Sequence, residues 1–277
     1  MRMPKIAIFQ MTSAIDPEAN LSAIRDAAQA AAAAGAKVLF TPEMSILLDR
    51  DRSRAGPWIE GRGPVEITER LGNTASEYGI DIALGSQPVA GAGGLWANRS
   101  MYFHSNSEGA VDPVTYDKIH MFDVELSTGE TWRESKAYQA GDQVVCVERT
   151  PLGRLGLTIC YDVRFPALFE RLGRRQCDAI AVPAAFTVPT GKAHWHTLLK
   201  ARAIEASAFV IAAAQVGMHE DGRKTYGHSL VVDPWGEVLL DMGSDAPGLG
   251  FCEIDPARID EVRSQLPSLA NKREIAI

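Results

Sequence analysis

The sequence predicts an α/β protein in which two mixed sheets pack face to face beneath outer helices, an α-β-β-α sandwich. Two observations support this: short apolar strands alternate with helical segments, and hairpin turns are interleaved among them. A doubly wound single sheet is the alternative. We find no repeat, linker or change of composition that marks a boundary, so we expect residues 1–277 to form a single domain.

The first half of the chain begins with a βαβ pattern and continues into a hairpin. Gly35 and Gly79 follow two helical segments, at the position where glycine commonly ends a helix. The turn cluster at 106–109 predicts the hairpin. The predicted strands are 6–11, 37–40, 80–84, 100–104 and 114–116, and the predicted helices are 20–34 and 64–78.

The second half repeats the mixture of crossovers and hairpins. The predicted strands are 144–148, 155–159, 179–182, 209–214, 229–232, 238–240 and 249–254, and the predicted helices are 166–172 and 194–206. Residues 256–277 are charged and show little apolar periodicity. We therefore expect a C-terminal tail that wraps around a partner subunit or is loose.

Composition excludes several classes of function. The 277 residues carry a net charge of −7 without a block of Lys and Arg, which argues against nucleic acid and anionic membranes as partners. Four scattered cysteines without C-x-x-C pairs argue against a zinc site and a disulfide framework, and reduced thiols indicate the cytoplasm. We find no uncharged segment long enough to span a bilayer and no nucleotide-binding motif.

The segment 156–166 places a cysteine at a turn between a buried strand and a helix. Cys160 follows the strand 155–159, and Pro166 suits the first turn of a helix. A helix start offers free backbone N–H groups, which favour a thiolate and can bind an oxyanion. Cys160 is therefore a candidate nucleophile; the alternative is a buried core cysteine, which is common.

Two further polar residues follow predicted strands. Glu43 comes after the strand 37–40, and Lys118 comes after the strand 114–116. A buried carboxylate can remove the thiol proton and a desolvated lysine can stabilise an oxyanion, so Glu43, Lys118 and Cys160 suffice for acyl transfer.

A Cys/His pair is the competing assignment, and the sequence leaves its histidine open among His120, His194, His196 and His228. The i, i+2 spacing of His194 and His196 argues against a metal site on a helix.

Several segments resemble the signature blocks of the nitrilase superfamily, the carbon–nitrogen hydrolases. The similar segments are 41–44, 116–125, 157–166, 193–205 and 226–236, so the resemblance covers nearly the whole chain. The run Asp49-Arg50-Asp51-Arg52 and the run Trp132-Arg133-Glu134-Ser135 are similar to the Nit-type amidase branch, closest to the deaminated glutathione amidase type.

This resemblance implies a role for each matching residue. Glu43 matches the general base, Lys118 the lysine that supports the tetrahedral intermediate, and Cys160 the nucleophile. The backbone N–H of Tyr161 would complete the oxyanion hole. Glu134 is our choice for a second glutamate beside this triad, and Glu125 is the alternative. The family also implies the α-β-β-α sandwich, a homodimer or higher homo-oligomer, and no metal or organic cofactor.

The resemblance further implies a small amide substrate that carries a carboxylate and releases ammonia. Binding the carboxylate needs a cation. The candidate cations are Arg164, Lys192 and Arg202, and the candidate pocket residues are Phe186, Thr187 and Trp195. Ion pairs with Asp162 or Glu205 are the alternative for the two arginines. The alternative functions are hydrolysis of an N-carbamoyl amino acid or another aliphatic amide, and a catalytically idle binding protein on the same scaffold.

Overall fold

Two six-stranded sheets form the centre of the computed structural model, which describes residues 3–106, 112–125, 129 and 131–273. The strands are β1 (Lys5–Gln10), β2 (Val38–Phe40), β3 (Asp81–Ala90), β4 (Trp96–Phe103), β5 (Val114–Asp117), β6 (Asp123–Glu125), β7 (Thr131–Arg133), β8 (Cys146–Thr150), β9 (Gly153–Leu157), β10 (Ala179–Ala181), β11 (Phe209–Ala212), β12 (Val216–Met218), β13 (Lys224–Tyr226), β14 (Leu230–Val232), β15 (Val238–Asp241) and β16 (Gly248–Glu253). The α-helices are α1 (Pro17–Ala33), α2 (Arg52–Ile59), α3 (Gly63–Tyr78), α4 (Pro166–Arg174), α5 (Val188–Ala206), α6 (Pro256–Gln265) and α7 (Ser268–Asn271).

Both sheets combine a parallel centre with antiparallel edges. The first sheet has the order β16-β1-β2-β3-β4-β5, and the second has the order β15-β14-β11-β10-β9-β8. Strands joined through a helix are parallel, such as β1 and β2, whereas strands joined by a hairpin are antiparallel, such as β8 and β9. The prediction of two mixed sheets is therefore confirmed, and the doubly wound single sheet is wrong.

The layers follow from the alternation of apolar residues along the strands. In β1, Ile6 and Ile8 point to one face and pack in a core shared with the second sheet, including Ile180. Ala7 points to the opposite face and packs in a separate core with Leu21 of α1. Because both faces of these strands are buried, the strands read as continuous apolar runs in the sequence.

Helix ends account for most differences between predicted and observed bounds. Helix α3 ends before Gly79, whose φ of +62° is the left-handed conformation predicted there. Helix α5 begins at Val188 rather than His194, because Pro189 occupies its first turn after an extended Thr187. Helix α2 was not predicted, since its Gly56-Pro57 pair is typical of a turn.

The C-terminal tail is ordered against its own chain as far as the structure describes it. Ile259 and Val262 of α6 are buried, and the Arg258 Nε atom donates to Asp233 Oδ2 at 3.0 Å. Arg263 Nη2 donates to the Cys177 carbonyl at 2.6 Å. The expectation of a loose tail is therefore wrong for residues 256–273, while residues 274–277 and most of the predicted 106–109 turn lie outside the described residues.

No helix in the described part of the chain is both long enough and apolar enough to cross a membrane.

Candidate active site

The turn that carries Cys160 is fixed from both sides. Strand β9 ends at Leu157, and a short 3₁₀ segment begins at Cys160, whose φ of +48° is unusual for a residue with a side chain. The Cys160 N–H donates to the Pro183 carbonyl at 2.8 Å, and the Ile159 N–H donates to Asp162 Oδ2 at 2.9 Å. Cys160 is only 8% exposed and lies three residues after a strand that the sheet holds in place.

Glu43 lies beside this turn because a tight bend follows β2. A side chain at Gly85 would overlap the carbonyl of Pro42, so only glycine allows the bend to pass this close to β3. Glu43 Oε1 accepts a hydrogen bond from Asn98 Nδ2 at 3.0 Å, and Oε2 accepts one from the Ala185 N–H at 2.9 Å. Glu43 is 5% exposed, and these two donors come from strand β4 and from the loop between β10 and α5.

Lys118 joins two carboxylates at the floor of the site. Its Nζ atom is 2.9 Å from Glu43 Oε1, 3.0 Å from Glu134 Oε1 and 2.9 Å from Glu134 Oε2, and the residue is 2% exposed. Glu134 Oε2 also accepts from the Phe122 N–H at 2.6 Å. Glu125 instead lies on the surface beside Arg133, 3.7 Å away, so Glu134 is the glutamate that contacts the lysine.

The neighbouring charges at the floor lower the pKa of Glu43 and raise the pKa values of Lys118 and Cys160. Burial opposes ionisation of Glu43, but the Lys118 ammonium and the hydrogen bonds to the carboxylate hold its pKa below the ordinary value. Burial would likewise lower the pKa of Lys118, but Glu134 and Glu43 raise it well above normal. Burial and the Glu43 charge raise the pKa of the Cys160 thiol. The resting state is thus a thiol, a carboxylate base and an ammonium.

These groups form the floor of a cavity of about 330 Å³. Aromatic side chains line its walls: Trp96, Phe122, Trp132, Tyr138, Tyr161 and Phe186. Six further lining residues are cationic, and all of them are exposed except Arg223, which is partly buried: Arg50, Arg52, Arg133, Lys136, Arg223 and Lys224. We call these six residues the cationic rim. A chain with a net charge of −7 thus concentrates positive charge at the opening of one cavity.

Three of the expected substrate residues line this cavity. They are Tyr161, Phe186 and Thr187. Trp195, expected beside them, is fully buried behind Phe186, with ring centroids 4.6 Å apart, and its Nε1 atom donates to the His228 carbonyl at 2.8 Å. Trp195 therefore supports the wall from behind and cannot touch a ligand directly.

The three expected cations lie elsewhere. Arg202 is buried and donates to the Val163 carbonyl at 2.7 Å. It also pairs with Glu205 at 2.6 Å, which is the ion pair expected from the sequence as the alternative to substrate binding. Arg164 stands near the outer face of the wall, over Phe186 at 5.5 Å, with Nη1 3.3 Å from His194 Nδ1. Lys192 is exposed on α5. None of the three is among the described residues that line the cavity.

Asn98 and the cationic rim were not predicted as site residues, although Arg50, Arg52 and Arg133 lie in the two runs that are similar to the Nit-type branch. Asn98 is a polar residue inside the buried strand β4, which was a usable signal. The rim residues come from three separate segments, 50–52, 133–136 and 223–224, and arginines and lysines outside the core are ordinarily surface residues. Only the fold brings them together.

The histidines proposed for a Cys/His pair have other partners. His120 Nδ1 is 2.7 Å from Asp162 Oδ1, and its ring stacks on Phe165. His196 Nε2 and His228 Nδ1 lie 3.0 and 2.9 Å from the carboxylate of Asp241. No histidine is found among the cavity-lining residues that the structure describes, so the Cys/His assignment is not supported.

Comparison with known proteins agrees with this geometry. The sequence matches the carbon–nitrogen hydrolase family over residues 5–264. It is 38% identical to deaminated glutathione amidase of Synechocystis sp., over 96% of this chain and 97% of that one. It is 36% identical to the human enzyme of the same name, over 98% and 83% of the two chains.

Solved structures show the same fold. The NitFhit protein of Caenorhabditis elegans has a TM-score of 0.88 and 34% identity, with 99% of this chain and 66% of that chain covered. An amidase of Nesterenkonia sp. has a TM-score of 0.78 and 25% identity, with 96% and 95% covered. In a variant of the latter enzyme, acrylamide has added to the active-site cysteine.

The chain therefore belongs to the carbon–nitrogen hydrolase family. It is an amidase, an enzyme that cleaves a carbon–nitrogen bond of a small amide. This sets aside the alternative of a catalytically idle binding protein.

Proposed function

We propose that Glu43, Lys118 and Cys160 hydrolyse a linear amide that carries a carboxylate, through a thioester on Cys160. One observation carries the proposal: a single buried ammonium contacts two carboxylates beside a thiol, at the floor of a cavity with a cationic mouth. Each component of an acyl-transfer site is present within this contact network.

Acylation begins with the proton of the Cys160 thiol. The proton moves to Glu43 as the sulfur attacks the amide carbon. Because the proton passes from one side chain of the floor to another, this transfer does not change the net charge of the floor. The oxyanion is stabilised by the Lys118 ammonium and by the backbone N–H of Tyr161, in the first turn of the 3₁₀ segment. Glu43 then gives the proton to the leaving nitrogen, and the thioester remains.

Hydrolysis uses the same groups in the reverse order. Glu43, again a carboxylate, removes a proton from water as the water oxygen attacks the thioester carbon. The C–S bond then breaks, the proton passes from Glu43 to the Cys160 sulfur, and the carboxylic acid leaves. Glu134 acts through the lysine: its two oxygens hold Nζ in place and compensate the buried charge. Glu134 is therefore a positioning residue for Lys118 in this proposal.

The substrate we favour is deaminated glutathione, or a related ω-amide. The relatives from Synechocystis sp. and human carry the name deaminated glutathione amidase. The cationic rim suits a substrate with carboxylates. The leaving group depends on the amide. A primary ω-amide releases ammonia, whereas deaminated glutathione is a substituted amide and releases cysteinylglycine instead. The common product is the free dicarboxylic acid.

Product formation from a panel of amides tests the proposal. The panel contains deaminated glutathione, α-ketoglutaramate, α-ketosuccinamate, N-carbamoyl-β-alanine and an aliphatic amide, each with wild type and Cys160→Ala. We expect Cys160-dependent formation of the dicarboxylic acid from one of the first three. Preference for the N-carbamoyl compound or the uncharged amide would overturn the proposed substrate class, a carboxylate-bearing ω-amide, but would leave the amidase activity in place.

We also propose that the enzyme is a cytoplasmic homo-oligomer. Exposed large apolar side chains in the second half of the chain support assembly: Ile204, Trp235, Val238, Leu239 and Phe251. All four cysteines are free thiols, which supports a reducing compartment. Light scattering of wild type and Leu239→Arg tests the assembly: we expect a dimer or larger species that the substitution weakens, and a monomeric wild type would contradict it.

A further inference from the structure

Two cysteines outside the cavity lie in contact with each other. Cys146 is on β8, the edge strand of the second sheet, and Cys177 is in the turn between α4 and β10. Their Sγ atoms are 3.3 Å apart. Neither residue is among those that line the cavity, so the proposed amidase mechanism does not use them.

A glycine on the intervening strand allows this contact. Cys146 pairs with Gly156 of β9, and a Cβ atom at Gly156 would be 3.3 Å from Cys177 Sγ and 2.9 Å from Leu172 Cδ2. The Gly156 φ angle is not in the left-handed region, so its smallness rather than its flexibility matters here. A larger residue at position 156 would occupy the space in which the two thiols meet.

The two thiols are chemically unequal. The hydrogen bond from Cys177 and the nearby Arg175 guanidinium lower the pKa of Cys146 to about 7, and this thiol is partly exposed. The same hydrogen bond and burial raise the pKa of Cys177, which keeps its proton and is fully buried. At neutral pH the pair therefore offers an accessible thiolate with a protonated partner in contact.

The other two cysteines lack this combination. Burial and the Glu43 charge raise the pKa of Cys160, and burial raises that of Cys252 to about 11. Neither of these thiols has another cysteine within bonding distance among the described contacts.

We propose that Cys146 and Cys177 form a redox-active dithiol, a second reactive site that small disulfides oxidise to an intramolecular disulfide. The Cys146 thiolate attacks one sulfur of glutathione disulfide and releases one glutathione thiolate. Cys177 Sγ then attacks Cys146 Sγ, the mixed disulfide bond breaks, and the Cys177 proton leaves with the second glutathione as its thiol. Two protein thiols are oxidised, one disulfide is reduced, and atoms and electrons balance.

Closing the bond requires only a local movement. The Sγ atoms must approach from 3.3 Å to roughly 2.05 Å, a change of about one ångström. The bond would tie the edge strand β8 to the turn before β10, across β9. It would also close a loop of about thirty residues in the unfolded chain, and such a crosslink raises thermal stability.

The test is exposure of the full-length protein to glutathione disulfide, followed by blocking of free thiols and peptide mass mapping. Wild type is compared with Cys146→Ser, Cys177→Ser and the control Cys252→Ser. We expect a Cys146–Cys177 disulfide in wild type and the control, a mixed disulfide with glutathione on Cys146 in Cys177→Ser, and neither in Cys146→Ser. Oxidation should raise the melting temperature of wild type by about 5 °C or more, and dithiothreitol should reverse the shift.

Several outcomes would overturn the proposal. One is that Cys146 and Cys177 remain free while Cys160 or Cys252 takes the glutathionyl group. Another is that Cys177→Ser leaves Cys146 unmodified. Because mapping and melting do not require turnover, the test is independent of the amidase proposal.

Discussion

The floor and the rim of the cavity are built in opposite ways. At the floor, Lys118 is 2% exposed and contacts two carboxylates. At the rim, Arg50, Lys136 and Lys224 are exposed, and none forms an ion pair within the part of the chain that the structure describes. The charge at the floor is desolvated and compensated, whereas the charges of these three rim residues are solvated and have no ion-pair partner among the described residues.

This difference separates two tasks. A buried group with fixed partners keeps its position during a reaction, which favours bond making and breaking. An exposed excess of positive charge attracts anions over a distance and is screened by salt. We therefore expect changes at the floor to affect turnover and folding, and changes at the rim to affect substrate binding alone.

The largest effect should follow removal of the nucleophile. Cys160→Ala should lower kcat by at least about 10⁴-fold, because no thioester can form, while the protein stays folded. The measurement is steady-state hydrolysis with circular dichroism, and Cys252→Ala is the matched control. Turnover by Cys160→Ala close to the wild-type rate would exclude this cysteine as the nucleophile.

Lys118→Met should damage both turnover and stability. Loss of the ammonium leaves Glu43 and Glu134 buried without a counter-ion, so we expect roughly 3 kcal/mol or more of lost unfolding free energy and about a 10³-fold lower kcat. Urea unfolding and steady-state kinetics measure these quantities.

The matched control is Lys136→Met, which changes the same residue type at the rim. Its unfolding free energy should stay within about 0.5 kcal/mol of wild type. Equal destabilisation by the two substitutions would contradict the contrast between floor and rim.

Asn98→Ala should change the pH profile. Glu43 must be ionised to act as the base, and its pKa is held below the ordinary value, so activity is present at neutral pH and is lost as the pH falls through that pKa. Asn98 donates to the ionised carboxylate, and its loss raises the Glu43 pKa and moves the acid limb to higher pH. We also expect about a tenfold loss of kcat/KM on the plateau. An unchanged acid limb would show that Asn98 is only structural.

The smallest effect should come from the rim. Arg50→Gln combined with Lys224→Gln should raise KM for an anionic amide by about threefold to tenfold at low salt, with kcat nearly unchanged. High salt should reduce the difference. Arg62→Gln, at an exposed pair with Glu66 away from the cavity, is the control. A fall in kcat without a change in KM would place these cations in the chemistry instead.

The same contrast explains what the sequence could and could not predict. Glu43, Lys118 and Cys160 each follow a predicted strand, so local patterns and family resemblance together predicted them, and all three line one cavity. Arg164, Lys192 and Arg202 were expected to bind the substrate because its carboxylate needs a cation, but none of them is among the cavity-lining residues that the structure describes, and Arg202 contacts Val163 and Glu205. The rim depends on loops meeting in space, which no periodicity encodes.

The C-terminal tail illustrates a second limit. Helix α6 buries only Ile259 and Val262, too few apolar positions to give a visible helical period. Its attachment depends on Arg258 and Arg263, which contact Asp233 and the Cys177 carbonyl. Charged residues that act as anchors look, in a sequence, like those of a solvated tail.

The most direct measurement is mass spectrometry of the enzyme after rapid acid quenching during turnover of deaminated glutathione. The account predicts an α-ketoglutaryl group on the Cys160 peptide, absent from Cys160→Ala and unchanged in the Cys252→Ala control. Turnover without an acyl group on Cys160, or an acyl group on another residue, would contradict it.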